Sequence, residues 1–251
     1  MRIGILKTGN VNEKLAAEFG EYPDLFAAML GAVDAELEFF AVDVVGGEMP
    51  ANATEADGWL VTGSRHGVYD DLPWIEPLKA LMRQAVAAKI PVVGVCFGHQ
   101  ILADALGGKA EKSDKGWGLG VHEYEPVARP AWMDDLATGW KGHAVHQDQV
   151  TVVPPDARVI ARSAFCENAA LAYGDLDAPD AISVQPHPEF SAGFVEGLIN
   201  VRLEGIVPDE IVAAARERLG TEVDNAAWAK VMVRFFREAH ARRKAPAAGA
   251  A

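Results

Sequence analysis

The chain has 251 residues, and half of them are hydrophobic, so one large domain can bury a substantial core. The formal net charge of -13 argues against a nucleic-acid partner, because phosphate contacts need clustered lysine and arginine. Two cysteines cannot form a disulfide framework, and no stretch approaches the ~20 apolar residues of a membrane span. The N-terminal MRIGILKTGN also lacks the apolar run of a signal peptide, so a cytoplasmic protein with reduced thiols is expected.

The first half of the chain alternates short apolar runs with helical patterns. Strands are predicted at 2–6, 37–45, 59–62 and 91–95, and helices at 13–31, at 78–86 and from 101 to 106. Gly107 and Gly108 end the last of these helices. Apolar strands that alternate with helices are typical of a mostly parallel sheet covered on both faces, so a doubly wound α/β fold is expected.

Shorter β-like runs and a helical C-terminal region follow. The runs lie at 119–124, 150–153, 158–164, 170–173 and 181–184, and they are expected to extend the sheet with antiparallel strands. Pro208 is expected to start one helix, and Asp224 to cap a final helix. The apolar stripe of that helix is predicted to face the core and contains Trp228, Val231, Met232, Phe235 and Ala239. The predicted division is a domain over 1–200, a helical extension packed on it over 201–240 and a disordered tail over 241–251.

The segment GVCFG at 94–98 lies between the most apolar strand and a helix. Gly-x-nucleophile-x-Gly is the pattern of a nucleophile elbow, a tight turn in which side chains two positions either side of the nucleophile would collide. The helix N-terminus favours a thiolate on Cys96, and the N–H of Phe97 would point to an oxyanion site. Cys96 is therefore predicted to be a nucleophile, whereas Cys166, in SAFCENAA, lacks this context and is expected to be structural.

A base for thiolate chemistry is available in QPHPEF at 185–190, directly after the apolar strand at 181–184. Pro188 biases His187 toward extended backbone, in which residues i and i+2 face the same side. Glu189 can therefore hold one ring nitrogen of His187 while the other nitrogen faces the sulfur, as in a catalytic triad. The nucleophile and the base both follow buried strands, whose carboxyl ends form the active edge of a parallel sheet.

Three segments together, VVGVCFGHQ, QPHPEF and VTGSRHGVYDDLPW, resemble the class I glutamine amidotransferase family over residues 1–200. The resemblance implies a flavodoxin-like, three-layer sandwich. It also implies a triad of Cys96, His187 and Glu189. Backbone N–H groups of Gly63 and Phe97 would form the oxyanion hole.

The same resemblance implies how a substrate is held. Gln100 matches a glutamine that contacts the substrate, and Gln147 and Asp148 match a segment whose backbone holds the α-amino-acid end. Gln147 stands where many family members carry a glycine. The family needs no metal and no other cofactor, so the only expected ligand is a small-molecule substrate.

The implied reaction is hydrolysis of the side-chain amide of glutamine through a thioester on Cys96, which releases glutamate and ammonia. The residues after 200 are too few for an ATP-dependent synthase domain, so the ammonia would pass to a separate synthase. The likeness is to stand-alone members that resemble the amidotransferase domain of GMP synthase. Two alternatives stay open: a hydrolase of γ-glutamyl peptides or conjugates, and a non-catalytic or redox-responsive protein with the same fold. The intact set of cysteine, histidine and glutamate argues against the latter.

The remaining histidines have weaker contexts. His143 and His146 have i, i+3 spacing with Asp148 nearby, but no third ligand is defined, so a metal site is not expected. His99 is expected to pack or to bond to backbone. His66 either lines the pocket or lies on a surface loop.

Overall fold

The computed structural model describes residues 1–136 and 138–245, which contain eleven strands and seven α-helices. The strands are β1 (Arg2–Leu6), β2 (Glu38–Val42), β3 (Gly58–Val61), β4 (Val92–Val95), β5 (Lys109–Lys112), β6 (Gly118–Pro126), β7 (Trp140–His146), β8 (Asp148–Val152), β9 (Ala157–Arg162), β10 (Ala170–Tyr173) and β11 (Ala181–Val184). The helices are α1 (Glu13–Phe19), α2 (Tyr22–Gly31), α3 (Ile75–Ala87), α4 (Phe97–Ala105), α5 (Ala192–Leu198), α6 (Asp209–Arg218) and α7 (Asn225–Lys244), with a π-helical turn at Ile199–Leu203.

A nine-stranded sheet in the order β2-β1-β3-β4-β11-β10-β9-β6-β7 forms the middle layer. The first five strands in this order are parallel and the other four continue the sheet in antiparallel fashion, which confirms the predicted mostly parallel sheet with an antiparallel extension. β5 and β8 form a separate antiparallel pair, so the run predicted at 150–153 does not extend the main sheet as expected, because its backbone pairs with β5 instead. Val61 pairs with Gly94, and Val184 pairs with Val95. The segments that follow β3, β4 and β11 therefore start side by side at one edge of the sheet.

Helices cover both faces of the sheet, which confirms the doubly wound, three-layer architecture. On one face, α2 and α7 pack on the sheet in a buried cluster that includes Ile5 and Phe236. On the other face, α3 and α4 pack on it in a cluster that includes Val61 and Met82. A third cluster, with side chains from α1, α5 and α6, surrounds Phe190 next to the carboxyl edge of the sheet. Complete burial of one valine, leucine, isoleucine, phenylalanine or methionine side chain contributes about 1.5–3 kcal/mol to stability. The three clusters therefore stabilise the sheet and its carboxyl edge.

Two strands and one helix break differ from the predicted pattern. β5 (KAEK) is polar, and β7 (WKGHAVH) contains a glycine and two histidines, so neither has the apolar run that marks the other strands. The predicted helix over 13–31 is divided at Gly20, whose φ of 86° does not fit a helix. α5 and the π-helical turn were outside the predicted helices as well.

The C-terminal helix packs as predicted but is capped differently. The apolar stripe of α7 is buried against the sheet and α2, and it contains Trp228, Val231, Met232, Phe235 and Ala239. Asp224 precedes the helix, yet its carboxylate does not cap it. Instead, Oδ2 of Asp224 accepts a hydrogen bond of 2.8 Å from the backbone N–H of Lys141, because β7 brings an unpaired backbone donor beside it. The aspartate therefore joins α7 to β7.

The structure corrects part of the prediction that residues 241–251 form a disordered tail. Helix α7 continues to Lys244, because Arg242 donates to the carbonyl oxygen of Pro179 (2.8 Å) and basic side chains in a last turn favour the helix dipole. Residues 246–251 of that tail lie outside the described residues, and the division of the chain at residues 200 and 240 stays a prediction. None of the helices within the described ranges combines the length and the apolar character that a membrane span needs.

Candidate active site

Cys96 lies on the turn between β4 and α4, where its backbone has a left-handed φ of 54°. Residues other than glycine rarely adopt this conformation, which costs about 1–3 kcal/mol. Close backbone contacts require the two glycines of the turn. A Cβ on Gly94 would collide with the carbonyl oxygen of Gly98, and a Cβ on Gly98 would collide with that of Val61. The turn thus has the strained geometry of a nucleophile elbow.

Gly63 and Phe97 lie on either side of Cys96. A Cβ on Gly63 would lie 2.8 Å from Cε1 of His187 and 3.7 Å from Cβ of Cys96, so only glycine leaves room there. Phe97 begins α4, and its N–H therefore has no acceptor within the helix. The N–H of Gly63 donates to no residue in the described part of the chain. The backbone N–H groups of Gly63 and Phe97 are therefore both available as hydrogen-bond donors beside Cys96.

Two buried threonines hold the peptide group that carries the N–H of Gly63. The hydroxyl of Thr8, just after β1, donates to the carbonyl oxygen of Thr62 at 3.0 Å. In a trans peptide the C=O and the N–H point in opposite directions, so this contact directs the N–H of Gly63 away from β1. The sequence pattern does not single out Thr8 or Thr62, because a buried threonine at a strand end has no distinctive signal.

His187 and Glu189 form a buried pair directly after β11. Nδ1 of His187 lies 2.7 Å from Oε1 of Glu189, and the two side chains are 5% and 0% exposed. The imidazole ring stacks on Phe190, with centroids 4.0 Å apart and planes within 5° of each other. The backbone N–H of His187 also donates to the carbonyl oxygen of His143 on β7, at 2.8 Å. These contacts fix the position of the ring beside Gly63 and Cys96.

The charges of the site favour a protonated His187. Burial opposes the imidazolium, but the Glu189 carboxylate and Cys96 outweigh it and raise the pKa of His187 to about 10. One ring nitrogen donates to Glu189, and the cation as a whole stabilises a nearby thiolate. Burial instead raises the pKa of the Cys166 thiol to about 12, so that residue is a neutral core thiol.

A cleft of about 270 Å³ opens at this edge of the sheet, and Cys96 and His187 lie in its wall. Gln100, Gln147 and Asp148 line the same cleft. Nε2 of Gln100 donates to the carbonyl oxygen of Asp148 at 2.9 Å, so α4 holds the backbone between β7 and β8 in place. The residues predicted to form the triad, the oxyanion hole and the substrate contacts are therefore brought together, with Gln100 engaged through the backbone of Asp148.

The other histidines differ in their surroundings. His99 is fully buried, as the packing prediction expected, with Nδ1 2.7 Å from Oγ of Ser183, and burial lowers the pKa of His99 to about 3. His143 and His146 lie three positions apart on β7 and so on opposite faces of the strand, which prevents them from sharing a metal ion. His66 lines the cleft.

Several cleft residues were missed by the sequence pattern: Tyr22, Lys112, Trp117 and Arg202. Tyr22 is buried against Phe190, with ring centroids 6.1 Å apart. Arg202 lies on the π-helical turn, an element that is rare and occurs mainly at functional sites. The one signal that could have indicated it is a lone arginine within the apolar run LINVRL.

Comparisons with known proteins identify the family of this chain. The profile of the family described as glutamine amidotransferase class-I matches residues 19–196. Gamma-glutamyl peptidase 4 of Arabidopsis thaliana is 26% identical over 229 residues, which cover 87% of this chain and 88% of that protein. One subunit of the glutamine-hydrolyzing GMP synthase of Methanothrix thermoacetophila is 31% identical over 146 residues, which cover 58% of this chain and 74% of that protein. A glutamine amidotransferase from Methylobacillus flagellatus has a similar crystal structure, with a TM-score of 0.74, 25% identity and 94% of both chains covered. The chain belongs to the class-I glutamine amidotransferase family.

Proposed function

We propose that this protein is a cysteine-dependent hydrolase of γ-glutamyl amides, with Cys96 as nucleophile, His187 as acid and base, and Glu189 as the residue that orients His187. The observation that carries the proposal is the buried 2.7 Å contact between His187 and Glu189 beside a cysteine with positive φ. Burying an ion pair costs desolvation free energy, and the strained backbone costs more. A non-catalytic protein gains nothing from this combination, which argues against the redox-responsive or purely structural alternative.

The proposed reaction has two steps. The Cys96 thiolate attacks the side-chain carbonyl carbon, and the N–H groups of Gly63 and Phe97 stabilise the oxyanion. As the C–N bond breaks, protonated His187 gives its proton to the departing nitrogen, which leaves a γ-glutamyl thioester on Cys96. Neutral His187 then takes a proton from water, the resulting hydroxide adds to the thioester, and the C–S bond breaks. Glutamate leaves, and the thiolate and the imidazolium are restored.

We assign recognition of the α-amino-acid end to the part of the cleft wall that contains Gln147 and Asp148. There the backbone of Gln147 and Asp148, supported by Gln100, faces the cleft. His146 adds a second contact to the same backbone, with Nδ1 at 3.0 Å from the carbonyl oxygen of Asp148. A backbone held from two sides offers fixed donors and acceptors, which lowers the entropy cost of ordering the site on binding.

Two substrates fit the proposed chemistry. Glutamine is the simplest, and its ammonia would pass to a separate synthase, as the similarity to part of a GMP synthase suggests. A γ-glutamyl peptide or conjugate is the second. It is favoured by the extent of the match, since the similarity to a gamma-glutamyl peptidase covers 87% of this chain and that to the GMP synthase 58%.

The test is glutamate release by the purified protein from glutamine, γ-glutamyl dipeptides and glutathione. Release from at least one substrate is expected, together with its loss in Cys96→Ala and its retention in the matched control Cys166→Ala. Equal release by wild type and Cys96→Ala, or no release from any of the substrates, contradicts the proposal. Release from glutamine that rises when a synthase is added supports ammonia transfer, whereas release from dipeptides alone supports the peptidase.

A further inference from the structure

The catalytic cleft continues into a second groove of about 850 Å³. The two cavities meet at Tyr22 and Arg202, which line both of them. Gln100 and Asp148, at the proposed site for the α-amino-acid end, line only the catalytic cleft. Cys96 and His187 also line only the cleft, whereas Arg65 lines both cavities, so the groove is a separate space that joins the cleft at these shared residues.

This arrangement gives the two sides of the scissile bond different surroundings. The proposed placement of the α-carbon near Asp148 and of the carbonyl carbon at Cys96 leaves the groove as the space assigned to the nitrogen substituent. In glutamine the amide nitrogen carries only two hydrogen atoms, so no part of the substrate would occupy the groove. A peptide or conjugate fills it.

Cations outnumber acids in the lining of the groove. Lys14, Arg65 and Arg202 face a single acidic residue, Glu13, among the described lining residues. In the described part of the chain, none of these three cations takes part in an ion pair. In a chain with a formal net charge of -13, a concave surface with unpaired cations attracts an anionic group.

Arg202 is kept unpaired by its neighbours. The acidic residues before and after it in the chain, Glu196 and Glu204, both bind Arg216. Oε1 of Glu196 lies 3.0 Å from Nε of Arg216, and Oε1 of Glu204 lies 2.9 Å from Nη2. Arg202 is half-buried on the π-helical turn, at the point where the two cavities join, so its guanidinium is partly desolvated. A guanidinium offers two parallel N–H donors that match the geometry of a carboxylate.

We infer that Arg202 binds the carboxylate of the group that leaves with the nitrogen, so that the preferred substrates are γ-glutamyl peptides with a free carboxylate on the residue after the glutamyl group. This inference rests on the proposed function and adds the substrate class to it. Arg202 is then a specificity-determining residue that contacts the leaving group and takes no part in the proton transfers.

The experiment compares γ-glutamyl-alanine with γ-glutamyl-alaninamide, which differ only in that carboxylate. The ratio of their kcat/KM values is measured for wild type, Arg202→Gln, Arg65→Gln and Arg158→Gln. Arg158 is an exposed arginine on β9 that lines neither cavity and serves as the matched control. Glutamine is assayed in parallel.

Wild type is expected to prefer the free acid by about 10- to 100-fold, the factor that a hydrogen bond to a charged group supplies. Arg202→Gln is expected to lose the preference because its kcat/KM for the free acid falls more than its kcat/KM for the amide, and Arg158→Gln keeps the preference. Equal rates on acid and amide in wild type, a preference for glutamine, or loss of the preference in Arg65→Gln with retention in Arg202→Gln would overturn the inference. If glutamate release disappears in Cys96→Ala under any of these results, the proposed function stands while the inference fails. If no substrate is hydrolysed, the proposed function itself fails.

Discussion

Replacing Glu189 by glutamine removes the charge that keeps His187 cationic and retains a side chain of nearly the same shape. In the native protein the carboxylate is fully buried and lies 2.7 Å from Nδ1 of His187. Burial opposes the imidazolium, so without the carboxylate the pKa of His187 is expected to fall from about 10 toward its ordinary value of 6.5.

The size of the effect follows from this change in pKa. Raising the pKa of His187 from 6.5 to about 10 corresponds to an interaction free energy on the order of 5 kcal/mol, which Glu189 shares with Cys96. At about pH 7.5 the native ring is almost fully protonated, whereas a ring with a pKa near 6.5 is protonated in only about a tenth of the molecules. Loss of the acid and of the fixed ring is expected to lower kcat/KM by about 100- to 10,000-fold, the range of general acid–base catalysis.

Two measurements check this prediction. The first is kcat/KM for the best γ-glutamyl substrate. The second is the rate at which iodoacetamide alkylates Cys96 between roughly pH 6 and pH 9, because alkylation reports the thiolate. Wild type should react faster than Glu189→Gln, because the imidazolium that Glu189 supports stabilises the thiolate. Glu217→Gln, an exposed position on α6, is the control for the loss of one negative charge.

A Glu189→Gln variant with the activity and the alkylation rate of wild type would refute the reasoning, because the carboxylate would then not be what holds His187 protonated. The same loss of activity in Glu217→Gln would show that the net charge matters and the buried pair does not.

Other changes test the elbow, the oxyanion site and the charge of His187. Gly63→Ala places a Cβ 2.8 Å from Cε1 of His187, so kcat/KM should fall by about 100-fold or more. Gly193→Ala is the control: its Cβ meets no atom closer than 3.6 Å, so this variant should retain activity. Gly98→Ala drives a Cβ into the backbone of β3, and urea denaturation should show a loss of about 2 kcal/mol or more in the free energy of unfolding; an unchanged midpoint would mean that the turn is not strained as described. The raised pKa of His187 stabilises the fold fully below its unfolded value of about 6.5, and this contribution is lost as the pH rises through about 10. The difference in unfolding free energy between wild type and Glu189→Gln should therefore shrink between about pH 7 and pH 10.5, and a difference that stays constant over this range contradicts the assigned charge.

The segments proposed to hold the triad have recognisable sequence patterns because their requirements are local. The glycines around Cys96 and the proline after His187 act on backbone within two residues, so they leave a pattern that can be read in one segment. The groups that position these segments come from distant strands. Thr8 lies 54 residues before the carbonyl oxygen that it holds. β7 has no apolar run, yet its backbone carbonyl at His143 binds the N–H of His187. Which backbone groups meet depends on sheet topology, and residue spacing does not encode it.

The part of the site that breaks the bond and the cation proposed to select the substrate lie in different parts of the chain. Cys96 and His187 lie within residues 19–196, the segment that matches the family profile, whereas Arg202 follows that segment. The bond-breaking part tolerates little change, because an added Cβ at Gly94 or Gly63 already collides with its neighbours. On the π-helical turn, Ile199 and Leu203 are buried around Phe190, whereas Arg202 is half-buried and lines the cleft, where we propose that it contacts only the leaving group. Changes at Arg202 should therefore alter the choice of leaving group and leave the alkylation profile of Cys96 unchanged.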